Sequence, residues 1–323
     1  VELGASRLLA PYFSSSQIVW TIIIGTIMIA MALGNVWGGR MADKDPNPDR
    51  LYTRLLIAAV WIAAIPVVGK YIIIGISGIL VVTISHSFLI IAAFLACMII
   101  FVFPLFLLGT VTPSLAKYSV DSLSDSGRVV GTLGAYNTIG SIIGTFLPTF
   151  VTIPSVGTSM TFLIFAGILF LIGLLYFISV GKKRGTCAAA ALLIIVCCLF
   201  GAKDHFAFWE DSLLYEGESV YNYLQVKEDE NSIRLSTNVL FGVQSIMMKQ
   251  DSLTGMYYDY ALAAPLMTEA ADKEMLVLGM GTGTYAKQCV EYFPDLTAKG
   301  VEIDQKISDL SREYFELPDE IQT

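Results

Sequence analysis

The chain has 323 residues, 55% of them hydrophobic, with a net charge of −8 and a mean hydropathy of +0.66, above soluble domains, whose apolar share is roughly 45–50%. Residues 1–202 carry eleven Lys and Arg against six Asp and Glu, whereas residues 203–323 carry nine against twenty-two. This division excludes a single water-soluble domain, and the acidic balance argues against a nucleic-acid partner.

The opening stretch Val1-Glu2-Leu3-Gly4-Ala5-Ser6-Arg7-Leu8-Leu9 reads as the tail of a helix already under way, without an initial Met or a signal peptide. A fragment lacking its N-terminus is therefore expected. A spanning helix needs about 20 apolar residues. Residues 17–38, 51–69, 86–109, 129–153 and 159–180 meet that length, and a shorter run covers 187–201. Residues 71–84 are apolar but interrupted by Gly75 and Gly78, which predicts a broken or interfacial segment. The expectation is six or seven spans in a multi-pass cell-membrane protein, with the lipid bilayer as partner.

Lys and Arg in short loops set orientation. Arg40, Lys44, Arg50 and Arg54 form one group, Lys117 and Arg128 a second, and Lys182-Lys183-Arg184 a third. The three alternate correctly on the cytoplasmic side if residues 71–84 do not cross. If residues 187–201 then cross fully, the acidic part lies outside, so the side of that part is left open. Gly34 with Gly38, and Gly140 with Gly144, have the four-residue spacing that lets helix backbones approach in lipid. Tyr136 and Asn137 are polar within an apolar run, which raises a functional reading, but no acid or base sits mid-span to drive coupled transport. Cys97, Cys187, Cys197, Cys198 and Cys289 lack zinc or redox spacing and read as small buried apolar residues; no metal is expected.

In the acidic part, residues 219–226, 232–236 and 244–249 have the β-branched and aromatic composition of strands in a small sheet, and residues 257–268 read as a helix. Glu274-Met275-Leu276-Val277-Leu278 is an apolar strand that runs into Gly279-Met280-Gly281-Thr282-Gly283. Residues 285–293 form a helix, residues 298–304 a second strand ending in acids, and residues 305–315 a second helix. Strand, Gly-x-Gly-x-Gly, helix, strand, acid is the opening of a nucleotide-binding α/β domain. Its glycines permit close backbone approach, its helix start offers free N–H groups, and Glu302 stands about 20 residues on, where an acid meets ribose hydroxyls.

Together these readings predict an all-α polytopic bundle over 1–202, a small β subdomain with a gate helix over 203–272, and the start of a Rossmann-like domain over 273–323. A two-stranded parallel sheet cannot bury both faces, so the last domain is expected to be incomplete.

Two resemblances add to this. The stretch Gly38-Gly39-Arg40-Met41-Ala42-Asp43-Lys44, with Gly131, Gly134, Gly140, Gly144 and Pro148, resembles the loop signature and glycine-rich fifth helix of major-facilitator transporters. The glycine turn with Gly300-Val301-Glu302-Ile303-Asp304 resembles class I S-adenosylmethionine-dependent transferases, and within them the spermidine synthases. Glu218-Ser219-Val220-Tyr221-Asn222 looks like that family's Glu-Ser-x-Tyr-Gln strand, Gln244 matches its later glutamine, and Tyr257-Tyr258-Asp259-Tyr260 with Pro265-Leu266 resembles its Tyr-x-Glu helix. The layout resembles bacterial membrane proteins that fuse a helical bundle to a spermidine synthase-like domain.

The second resemblance implies aminopropyl transfer from decarboxylated S-adenosylmethionine to a polyamine. Gly279, Gly281, Gly283 and Glu302 would hold the nucleoside and Gln244 would touch its sulfonium end, while Tyr257 and Asp259 would border the amine. A half-buried helix face accounts equally well for the last two. Thr282 departs from the family's Asp and Asn222 from its Gln, and the aspartates that serve the attacking amine are expected beyond Thr323. Methyl transfer from S-adenosylmethionine, or a transporter-like bundle with a nucleoside-sensing domain, are the alternatives; a homo-oligomer is left open.

Overall fold

A computed structural model describes residues 1–83, 88–120, 126–202, 205–239, 242–250, 253–268 and 273–323. The chain forms two compact units, Val1–Asp204 and His205–Thr323.

The first unit is helical: α1 (Glu2–Phe13), α2 (Gln17–Lys44), α3 (Pro48–Thr83), α4 (Phe88–Gly109), α5 (Val111–Ser119), α6 (Ser126–Leu147), α7 (Ile153–Val180) and α8 (Arg184–Gly201). Among the described residues, five helical stretches are long and apolar enough to cross a membrane, the longest running from Ser126 to Val180 through a π-helical turn at Pro148–Thr152. That stretch has two arms. Gly157 leaves the helical region (φ 82°, ψ 172°), and the Thr161 hydroxyl donates to Thr152 Oγ1 at 3.0 Å. Residues nine apart would sit about 13 Å apart along a straight helix, so the chain bends back here.

The expected break at residues 71–84 does not occur up to Thr83: Gly75 and Gly78 lie within the continuous 36-residue α3. A glycine costs a helix only about 1 kcal/mol, and the apolar side chains around these two do not supply a stop signal. Ile84 lies outside the described residues. The major-facilitator-like stretch Gly38–Lys44 belongs to the last turns of α2 rather than to a loop.

Close helix approach is concentrated between α2 and α4. A Cβ at Gly34 would run into the Phe106 carbonyl oxygen, and one at Gly38 would lie 2.6 Å from Thr110 Cα. The second predicted pair behaves differently: Gly140 and Gly144 have nothing within 4 Å of a Cβ position, and α6 buries no residue. Tyr136 and Asn137 are exposed on that helix. Cys97, Cys187 and Cys289 are buried as expected, whereas Cys197 and Cys198, in the last turns of α8, are half-buried.

In the second unit an antiparallel meander runs β1 (Leu213–Glu218), β2 (Tyr223–Glu228), β3 (Ser232–Ser236) and β4 (Ser245–Met248). Of the strand predicted over 219–226, residues 223–226 lie in β2, whereas residues 219–222 form the β1–β2 hairpin turn. Ser219 Oγ accepts from the Tyr221 and Asn222 amides at 3.1 and 2.9 Å, and the Ser219 amide donates to the Asn222 carbonyl. A serine side chain offers the backbone this local alternative to a ladder. The helix predicted over 257–268 is likewise divided, into α9 (Tyr257–Ala261) and a 3₁₀ turn (Ala264–Met267), since Pro265 cannot donate to a continuing α-helix.

Next come β5 (Lys273–Leu278), α10 (Thr284–Tyr292), β6 (Leu296–Val301) and α11 (Gln305–Tyr314). β5 and β6 pair in parallel, Leu278 opposite Val301. Gly300 N–H also donates to the Gln322 carbonyl at 2.8 Å, which places residue 322 at a third parallel position beyond β6. One core joins Leu224, Val226 and Leu235 of the meander to Ile307, Leu310 and Phe315, so α11 covers the meander. A second core gathers Met280, Ala286, Cys289, Leu296, Ala298, Leu317 and Ile321 around the parallel pair. The opposite face of that pair is bare, with Leu276, Leu278, Val301 and Ile303 between 51% and 75% exposed.

Candidate functional site

The site is built where β5 gives way to α10. Gly279, Gly281 and Gly283 have φ of 75°, 61° and 86°, the left-handed region that costs other L-residues about 1–2 kcal/mol each. The surroundings of two of them differ. A Cβ at Gly281 would lie 2.6 Å from Ser245 Oγ, so this glycine is required by the meander strand packed against it. Gly279 has nothing within 4 Å of its Cβ position and is exposed. Its bare backbone therefore offers a flat approach to a ligand.

Glu302 closes the turn from the neighbouring strand. The Gly281 amide donates to its Oε2 at 2.8 Å, and the Asp304 amide donates to its Oε1 at 3.1 Å. The carboxylate is thus held half-buried across the turn, each oxygen keeping lone pairs for further donors. The amides of Gly279 and Met280 both reach the Val301 carbonyl, at 2.9 and 3.1 Å, which locks the turn to the end of β6. Gly279, Gly281 and Glu302 are thereby brought together at one turn. Gly283 shares the turn but faces inward, where a Cβ would meet the Leu317 side chain.

Several residues to which the sequence reading assigned no role build the support. Ser245 Oγ accepts from the Thr282 amide at 3.1 Å. Thr284 straps α10 to β4, its hydroxyl donating to the Ile246 carbonyl at 2.9 Å and accepting from the Ile246 amide at 3.1 Å. Asp304 caps α11 by accepting from Lys306 N, and Ser219 of the β1–β2 hairpin donates to it at 2.5 Å. Asp304 carries the one local signal that could have found it, an acid immediately before a helical run. Thr282 Oγ1 is buried and has no hydrogen-bond partner among the described residues.

The remaining predicted residues are held by other partners. Gln244 is exposed; its amide donates to the Leu235 carbonyl at 2.8 Å, and its own carbonyl accepts from the Tyr258 hydroxyl at 2.6 Å. Tyr257 is 64% exposed and lies against the buried Tyr258 ring at 4.0 Å. Burial, together with a hydrogen bond with Tyr257, pushes the Tyr258 phenol up from its ordinary range.

Asp259 is fully engaged by its neighbours. It accepts from Thr254 N and Oγ1, both at 3.0 Å, from Gly255 N at 2.6 Å and from Gln288 Nε2 at 2.8 Å. Burial raises its pKa, but these donors outweigh that and hold the carboxyl below the ordinary aspartate value. Its observed work is to fold the 254–255 turn onto α9 and α10. Among the described residues, no group of three or more His, Cys, Asp and Glu is placed to hold a metal ion.

A Bifidobacterium longum protein named probable polyamine aminopropyl transferase is 55% identical over 148 residues, which are 46% of this chain and 33% of that protein. A polyamine aminopropyltransferase of Clostridium perfringens is 27% identical over 113 residues, 35% of this chain and 38% of that protein. A polyamine aminopropyltransferase of Clostridium beijerinckii is 31% identical over 77 residues, covering 24% of this chain and 27% of its own. No protein-family model matches the chain, and no solved structure matches it. The chain spans about a third of the length of the curated relatives it matches.

Proposed function

We propose that this chain is part of a membrane-bound, spermidine synthase-like aminopropyltransferase whose second unit holds decarboxylated S-adenosylmethionine at a Rossmann-like turn. The observation that carries the reading is Glu302, fixed by the Gly281 amide at 2.8 Å beside the open backbone of Gly279. Three relatives named as polyamine aminopropyltransferases support the same chemistry at partial coverage, and the five long apolar helices support a multi-pass location.

The residues present fit such a ligand. Glu302 offers carboxylate lone pairs to vicinal ribose hydroxyls, and Gly279 lets a flat nucleoside lie against the main chain. When bound, the sulfonium supplies an activated aminopropyl group. Gln244, exposed, touches the sulfonium end in this reading, and Tyr257, also exposed, borders the amine; Asp259 steadies the start of α9, which carries Tyr257, through its four accepted hydrogen bonds. Acidic residues outnumber basic ones in this part of the chain, which raises the local concentration of a polycation.

One observation favours a second reading, methyl transfer from ordinary S-adenosylmethionine. Thr282 puts a neutral, unpartnered hydroxyl in the turn where the synthases it resembles carry an acid. Assay of the full gene product with putrescine and each sulfonium donor separates the two. Methylthioadenosine released from the decarboxylated donor supports aminopropyl transfer; S-adenosylhomocysteine from the ordinary donor overturns it in favour of methyl transfer.

A further inference from the structure

Nine of the eleven basic residues of the bundle gather at one end. Contacts within the unit fix this. Tyr176 and Lys182, at the end of α7, reach Asp49 at the start of α3 at 2.6 and 3.1 Å, and Lys183 reaches the Thr53 hydroxyl at 2.7 Å. Lys117 of α5 pairs with Asp43 of α2 at 2.9 Å, and Tyr118 donates to the Asn47 carbonyl at 3.2 Å. The groups Arg40–Arg54, Lys117–Arg128 and Lys182–Arg184 therefore share a face. At the other end, residues 14–16 and the start of α7, residues 153–159, contain no Lys or Arg, and the sequence 84–87 between α3 and α4 has none either.

α8 begins at that basic face and does not return to it. It runs parallel to α3: Lys183 lies at Thr53, and a Cβ at Gly201 would lie 2.8 Å from Val67 Cγ2. The step from Thr53 to Val67 is about 21 Å along a helix, and the 18 residues of α8 are about 27 Å long, close to the roughly 30 Å of a hydrocarbon core. Residues 71–83 prolong α3 rather than forming an extra crossing. The chain thus leaves the bundle at the face opposite its basic loops.

Short loops rich in Lys and Arg stay in the cytoplasm. We propose that the acidic second unit is extracytoplasmic. The inference follows from the course of the chain through the bundle and holds whatever the unit catalyses. Resting on the reading above, it adds that both the amine acceptor and the sulfonium nucleoside reach the site from outside, so a step that moves the nucleoside across the membrane must precede transfer.

The test is thiol labelling of intact cells with a membrane-impermeant maleimide. The native cysteines are buried or lie in α8, so single additions suffice: Ser212→Cys in the second unit and Thr186→Cys beside the basic loop, both exposed positions. Labelling of Ser212→Cys in intact cells, with Thr186→Cys labelled only after lysis, is the expected result. The reverse pattern overturns the proposal. Protease treatment of spheroplasts carrying the unaltered chain gives an independent reading. Loss of the second unit before lysis agrees with the proposal, and its survival until lysis contradicts it. Neither readout depends on turnover, so failure of the placement is distinguishable from failure of the enzymatic reading.

Discussion

Glycine serves opposite ends in the two units. In the bundle, Gly34 and Gly38 keep helical geometry and are needed for what they lack, since Phe106 and Thr110 occupy the space a methyl would take. In the turn after β5, Gly279, Gly281 and Gly283 are needed for the positive φ they can adopt. The bundle glycines are steric and the turn glycines conformational, and Gly281 is both, because Ser245 Oγ also closes on it. A third group, Gly140 and Gly144, has neither requirement in this structure.

The comparison breaks most readily at Gly281. Gly281→Ala combines left-handed strain of about 1–2 kcal/mol with overpacking of about 1–3 kcal/mol. Thermal unfolding of the second unit should shift down accordingly, and nucleoside binding should fall at least tenfold. Unchanged unfolding would show that the turn does not need this glycine. Gly34→Ala forces apart α2 and α4, at about 1–3 kcal/mol of overpacking; the bundle should unfold earlier while binding in the second unit is unaffected.

Asp259→Asn sharpens the division between support and site. The folded Asp259 carboxyl lies below its usual value of 3.8, so the stability it lends is present above that value and is lost as pH falls through the lower folded pKa. The substitution should cost about 1 kcal/mol at neutral pH, in line with a lost capping hydrogen bond. It should also flatten the pH dependence of unfolding below pH 4, measured by thermal melts across acid pH. An unaltered acid profile would remove Asp259 from that role. The smallest effect is expected at Gly140→Ala, which should stabilise α6 by about 0.5–1 kcal/mol through helix propensity alone. Destabilisation there would reveal a partner packed on this helix.

Much of this organisation was legible in the residues. Apolar run length located the long helices, and the run of Leu276-Val277-Leu278 into Gly279, with Glu302 following, located the turn and its acid. What escaped depends on contacts that no local pattern carries. Gly75 and Gly78 read as a break, but the surrounding apolar residues carry α3 through them. Ser219 to Asn222 has strand composition, yet the Ser219 hydroxyl folds it into a hairpin and ties that hairpin to Asp304, eighty-five residues away. Ser245 and Thr284 support the turn from the meander, a pairing set by tertiary packing. The residues of the proposed nucleoside turn were thus nearer the surface of the sequence than those that hold them in place.

The most direct test is calorimetric titration of the full gene product in detergent with decarboxylated S-adenosylmethionine, beside Glu302→Gln. The unaltered protein should bind it, and more tightly than ordinary S-adenosylmethionine, with affinity reduced at least tenfold in the variant. No binding by the unaltered protein, or equal binding by the variant, would contradict a nucleoside site built on Gly279 and Glu302.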